Sequence, residues 1–134
     1  IYRLPEYVQE QLRKTQSALS KNNGLTLILA LSYGGRTEII DAVRKIAVKV
    51  KQGLIDPEEI TPQIFAQHLY TANYPDPDLL IRTSGELRIS NFLLWQISYA
   101  ELVVTPTLWP DFRKPHFFAS LEEYARRHRR FGGI

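Results

Sequence analysis

The 134-residue sequence contains no cysteine and no methionine. Without thiols there can be no disulfide, no thiolate nucleophile and no Cys-based zinc site, which suits a reducing compartment. Without methionine, Ile1 is not an initiator, and the sequence is expected to be trimmed or processed. Long apolar runs are also missing: nothing approaches the ~20 residues that span a bilayer. The opening IYRLPEYVQE lacks the pattern of a signal peptide. A soluble, cytoplasmic protein is the expectation.

At 44% hydrophobic residues, the chain is long enough for one core and short for two. A single domain over 1–134 without an internal linker is expected. The net charge is +3, but Arg126, Arg127, Arg129 and Arg130 account for all of the excess; without these four the balance is −1. A nucleic-acid reading would rest on that one terminal cluster, and no nucleic-acid partner is expected.

Leu4, Val8, Leu12, Thr15 and Leu19 recur at helical spacing, and Pro5 suits a first turn, so a helix is predicted over 5–21. The run LTLILALS over 25–32 reads as a strand buried on both faces of a parallel sheet. Tyr33-Gly34-Gly35-Arg36 turns into a second helix with Ile39, Ile40, Val43, Ile46, Ala47, Val50 and Leu54 inward. Gly53 stops it, and Thr61-Pro62 opens a shorter helix. Leu79, Leu80 and Ile81 form a strand, Ser90 caps a helix through Phe92–Trp95, and Leu102–Val104 form a further strand. Ser120 caps a last helix over 121–130. Helical crossovers between short apolar strands predict an α/β fold, a parallel sheet with helices on both faces.

Function concentrates between Asp76 and Phe112. The strand at 79–81 ends in Arg82, Thr83, Ser84 and Gly85, and ligands of open α/β sheets bind where strands end. Arg88 and the predicted helix start at Ser90 follow closely. Guanidiniums and helix N–H groups together suit a phosphate or pyrophosphate. The plain alternative is a surface arginine pair beside an ordinary cap. Gly34-Gly35-Arg36 could cradle an anion, although a tight turn explains the glycines as well. His68, His116 and His128 have no metal-ligand spacing. Trp95, Tyr99 and Trp109 read as core or interface.

The stretch DPDLLIRTSGELRISNFLLWQISYAEL with WPDF closely resembles the C-terminal half of the cis-prenyltransferases, the undecaprenyl diphosphate synthase family of isoprenyl transferases. SYGGRTEI and the terminal RRFGG fit the same family. The resemblance implies an enzyme that condenses isopentenyl diphosphate onto an allylic diphosphate to give a cis-polyprenyl diphosphate. Arg82, Arg88, Ile89 and Ser90 then bind isopentenyl diphosphate, and Glu101 is a Mg2+ ligand, with Glu86 orienting an arginine. Leu87 stands where some relatives carry a histidine near the metal, and leucine cannot coordinate. Arg130 and Gly132 match an Arg-x-Gly element that reaches toward diphosphates, sometimes across a dimer interface.

The family's Asp-Gly-Asn-Gly-Arg-Trp segment, with the expected catalytic aspartate, is absent, so no catalytic residue is assigned and little turnover is expected of this chain alone. A homodimer and peripheral membrane contact through the lipid product are implied. Three further readings stand beside this one: a noncatalytic dimerisation half or subunit, a nucleotide binder without a dinucleotide fingerprint, and a nucleic-acid module.

Overall fold

The computed structural model describes residues 4–128. Arg130 and Gly132, singled out above, lie outside the described residues. The chain divides into two units, one ending at Tyr33 and the other starting at Gly34.

The first unit holds α1 (Glu6–Leu19), entered through Pro5 as predicted. Its stripe is shallower than its periodicity suggests. Leu4, Val8 and Leu12 are half-buried, Thr15 and Leu19 are exposed, and no residue of the helix is fully buried. The Gln9 side chain donates to the Leu4 carbonyl at 2.8 Å across the helix start.

The predicted strand over 25–32 is not formed. Leu25 is 96% exposed and Leu27 76%, and the segment runs without a ladder to a left-handed Ser32 (φ 52°). A strand needs a neighbour to pair its N–H and C=O groups. The described residues of this unit include no second extended segment.

The second unit contains α2 (Gly35–Lys51), α3 (Pro62–Ala66), β1 (Leu79–Arg82), β2 (Glu101–Val104) and α4 (Lys114–Ala125), with 3-10 turns at Pro57–Glu59 and Trp109–Asp111. The two strands pair in parallel, Leu79 opposite Glu101 and Arg82 opposite Val104. The α/β class with a parallel sheet is therefore borne out. Ala42, Ile46, Leu69 and Val103 are the buried apolar residues.

The buried stripe of α2 is rotated from the expected one. Gly35, Glu38, Ala42 and Ile46 are buried, whereas Ile40, Val43, Ala47 and Leu54 are exposed. Gly53 does end the segment, with a φ of +69° that favours glycine. Thr61 caps α3 as predicted, its Oγ1 accepting from the Ile64 N–H at 3.2 Å. Ser120 is no cap: α4 begins earlier, at Lys114, and buried Ser120 sits inside it, donating to the His116 carbonyl at 2.9 Å.

Candidate functional site at the strand ends

Parallel pairing puts the C-terminal ends of β1 and β2 on one edge. Beyond Arg82 the ladder does not simply stop. The Thr105 N–H donates to the Arg82 carbonyl at 2.8 Å, and the Gly85 and Ser84 N–H groups donate to the Thr105 and Thr107 carbonyls at 2.9 Å each. Ser84 and Gly85 both take φ 66°, turning the chain over this edge. Arg82 is thus fixed at its backbone while its side chain leaves the sheet. Its Nε is buried and has no hydrogen-bond partner among the described residues. A buried donor of a charged group left unpaired costs about 1–3 kcal/mol or more, so this N–H favours an acceptor arriving from outside.

Arg88 is exposed and ion-paired with Glu86. Glu86, expected to orient an arginine, is thus in contact with Arg88. Leu87 between them is 84% exposed.

The helix predicted to start at Ser90 is not there. Ser90, Asn91 and Leu93 take φ 47°, 62° and 45°, left-handed values that a right-handed helix cannot contain. The chain from 90 to 99 is a succession of turns instead, with the Phe92 N–H donating to the Ile89 carbonyl at 3.0 Å and the Ala100 N–H to the Ile97 carbonyl at 3.0 Å. Ser90 is an exposed loop residue and Ile89 is half-buried beside it. No helix terminus stands at Ser90, and a loop follows Arg88 instead.

The Gly34-Gly35-Arg36 turn has an occupant from the chain itself. The Gly35 N–H donates to the Asn91 carbonyl at 2.8 Å, and the Arg36 N–H donates to Asn91 Oδ1 at 2.9 Å. A Cβ on Gly34 would lie 2.9 Å from Asn91 Nδ2, and one on Gly35 would lie 2.9 Å from Leu94 Cγ. The glycines let the 90–94 segment approach the start of α2. Neither the tight-turn reading nor the anion cradle foresaw this.

Sequence reasoning also missed a buried polar cluster. Glu38 is 1% exposed; its Oε1 accepts from the Tyr70 N–H at 2.7 Å, and both of its oxygens accept from Gln96 Nε2, at 3.2 and 3.1 Å. Gln96 Nε2 also reaches Thr71 Oγ1 at 2.9 Å. The available signal was the spacing of Glu38 four and eight residues before Ala42 and Ile46, on one face of α2. Nearby, Trp95 packs its ring 4.4 Å from that of Phe65, consistent with a packing role, whereas Tyr99 and Trp109 are 63% and 71% exposed.

Glu101 opens β2, at the opposite end of the strand pair from Arg82. Three residue steps along a strand put about 10 Å between those levels. Its carboxylate accepts from Arg127 Nη1 at 2.9 Å, and Arg127 also pairs with Glu123. These bonds, first that to Glu101, hold the Arg127 guanidinium above the usual arginine range. Among the described residues no three His, Asp or Glu side chains gather to hold a metal ion. With its one assigned carboxylate already paired to a guanidinium, the described part of the chain does not by itself fit a Mg2+ site.

These features define an α/β protein whose parallel strands end in a cationic edge. Residues 1–132 match the family described as "Putative undecaprenyl diphosphate synthase", and the chain belongs to that family of cis-prenyltransferases. It is 54% identical over 130 residues to an isoprenyl transferase of Porphyromonas gingivalis, covering 97% of this chain and 51% of that protein. It is 49% identical over 131 residues to the ditrans,polycis-undecaprenyl-diphosphate synthase ((2E,6E)-farnesyl-diphosphate specific) of Micrococcus luteus, covering 98% and 53%.

Among solved structures, lavandulyl diphosphate synthase from Lavandula x intermedia, in complex with dimethylallyl diphosphate, superposes with a TM-score of 0.92 at 44% identity. That match covers 98% of this chain and 56% of the other. The chain spans about half the length of the curated relatives it matches. No helix among the described residues is long and apolar enough to cross a membrane.

Proposed function

We propose that the chain carries the isopentenyl-diphosphate side of a cis-prenyltransferase. That enzyme joins isopentenyl diphosphate to an allylic diphosphate and extends a cis-polyprenyl diphosphate. The buried Nε of Arg82 at the strand ends, without a partner among the described residues, carries this reading. A diphosphate oxygen would satisfy it, and a guanidinium fork matches such an anion in geometry and charge. Arg88, Ile89 and Ser90 complete the proposed set, with Glu86 holding Arg88 until a substrate competes for it.

In the reaction the allylic C–O bond breaks, a C–C bond forms to the isopentenyl group, and a proton leaves the latter while diphosphate departs. The residues proposed here bind and orient the extending substrate. None of them is assigned the proton transfer, and little turnover is proposed for this chain alone. The Mg2+ that the resemblance implies is proposed for the whole enzyme, and at Glu101 it would have to displace Arg127 from the carboxylate. The allylic diphosphate, a homodimer and membrane contact through the lipid product are proposed as partners on the same ground.

A second reading, a noncatalytic dimerisation half, is favoured by exposed Ile40, Val43 and Val48 on α2. Sedimentation showing a monomer would remove it.

Calorimetric titration with isopentenyl diphosphate, with and without magnesium and with inorganic pyrophosphate as control, tests the main reading. Binding that Arg82→Ala and Arg88→Ala weaken about tenfold or more, at little cost in folding, is the expected result. A folded chain that binds neither ligand would refute a preformed half-site, and equal loss of binding and stability would make the arginines structural.

A further inference from the structure

We infer that Asn91 is a positioning residue for the loop that carries Arg88, Ile89 and Ser90, tethering it to the start of α2. The first N–H groups of a helix lack intrahelical partners and are normally met by a side chain just before it. In α2 that position is Gly34, which has no side chain to offer. Asn91, distant in sequence, takes over: its carbonyl accepts from Gly35 and its Oδ1 from Arg36. The two bonds converge on one residue, so they fix both its position and its orientation.

That residue adjoins Ser90, and the loop around it is held in a costly form. Ser90 and Leu93 sit at positive φ, where only glycine is at ease and Asn is tolerated better than most. Strain of this kind persists only when the surroundings over-determine it. The tether supplies the constraint, and the bare Cα of Gly34 leaves room for the Asn91 amide. Arg36, Ile89, Asn91 and Leu94 line one surface cavity, so the start of α2 and the loop share a wall. The helix start therefore acts on a ligand at second hand, by presenting the residues after Arg88 in one conformation.

This inference rests on the diphosphate reading of the loop, and its test separates the two. Asn91→Gly keeps the positive φ accessible and removes only the side-chain acceptor; Asn91→Asp keeps an acceptor oxygen. In the full chain, amide hydrogen exchange at Arg36 and calorimetric affinity for isopentenyl diphosphate are measured for parent and variants.

Asn91→Gly is expected to lose protection at Arg36 and to weaken binding about tenfold, the loss of one hydrogen bond's worth of order. Asn91→Asp is expected to restore the protection. Unchanged protection in Asn91→Gly overturns the tether, and lost protection with unchanged affinity overturns the positioning role. A parent chain that binds no isopentenyl diphosphate refutes the diphosphate reading and the positioning role with it, while the exchange data still decide the tether.

Discussion

Replacing Glu38 with alanine removes the acceptor at the centre of the second unit's polar core. The side chain is 1% exposed, and its oxygens accept from the Tyr70 N–H at 2.7 Å and from Gln96 Nε2 at 3.2 and 3.1 Å. A hydrogen bond to a carboxylate contributes about 1.5–3 kcal/mol, so losing the two donors' acceptor is expected to cost about 3–6 kcal/mol. Alanine also leaves a void in the place of a long side chain, which adds to the loss.

At roughly 4 °C per kcal/mol for a chain of this size, the melting temperature should fall by about 12–24 °C. Thermal unfolding followed by far-UV circular dichroism reads this directly. Glu38→Gln separates acceptor loss from volume loss, because one oxygen becomes an NH2 and the size is kept. It should still cost about 2 kcal/mol. A loss below about 1 kcal/mol in the alanine variant would refute the view that this carboxylate organises the 69–71 and 93–97 segments around α2.

Gly35→Ala is expected to destabilise by about 1–3 kcal/mol despite alanine's better helix propensity. The new Cβ would lie 2.9 Å from Leu94 Cγ, 3.1 Å from Leu94 N and 3.2 Å from the Asn91 carbonyl, and two of those atoms are backbone. Gly24→Ala, with nothing within 4 Å, serves as the control in the same denaturant titration and should be close to neutral. Arg127→Ala should cost no more than about 1 kcal/mol, because its ion pairs with Glu101 and Glu123 are partly solvated and screened. Because those pairs raise the folded-state pKa of Arg127, their contribution through arginine is fully present below the unfolded value and fades only as pH rises through the folded one. Stability measured between about pH 6 and 9 should therefore show no step from Arg127.

What could be read from the sequence was what local chemistry decides. The runs at 79–82 and 101–104 became strands because apolar, β-branched residues sit between turn residues, and Thr61, Gly53 and Pro5 acted where their own backbone preferences apply. The strand-end placement of Arg82 followed from the same rules. Three of the failures share a cause: the Ser90 cap, the α2 stripe and the strand at 25–32 each turned on a partner distant in sequence.

Ser90 looks like a cap, but its neighbour Asn91 is recruited by α2 and the intervening dihedrals become left-handed. The stripe of α2 rotates toward Glu38 because Tyr70 and Gln96 reward a carboxylate there, which no count of apolar residues can register. Leu25–Leu31 has the composition of a central strand, yet composition supplies only the side chains. The ladder has to come from elsewhere.

The candidate site itself depends on both kinds of information. Arg82 is delivered by a local strand and fixed by the Thr105 N–H on its carbonyl, while its buried Nε has no partner among the described residues. Arg88 and Ser90 lie on a chain with no regular structure of its own, so their placement is borrowed from α2 through Asn91 and from Glu86 by ion pairing. On the proposed reading, a backbone-anchored arginine beside a tethered loop suits a flexible diphosphate: one group would mark the position, and the others would close on it at small entropic cost. Loosening the tether should therefore affect binding of the diphosphate before it affects the strand pair, whose hydrogen bonds do not pass through Asn91.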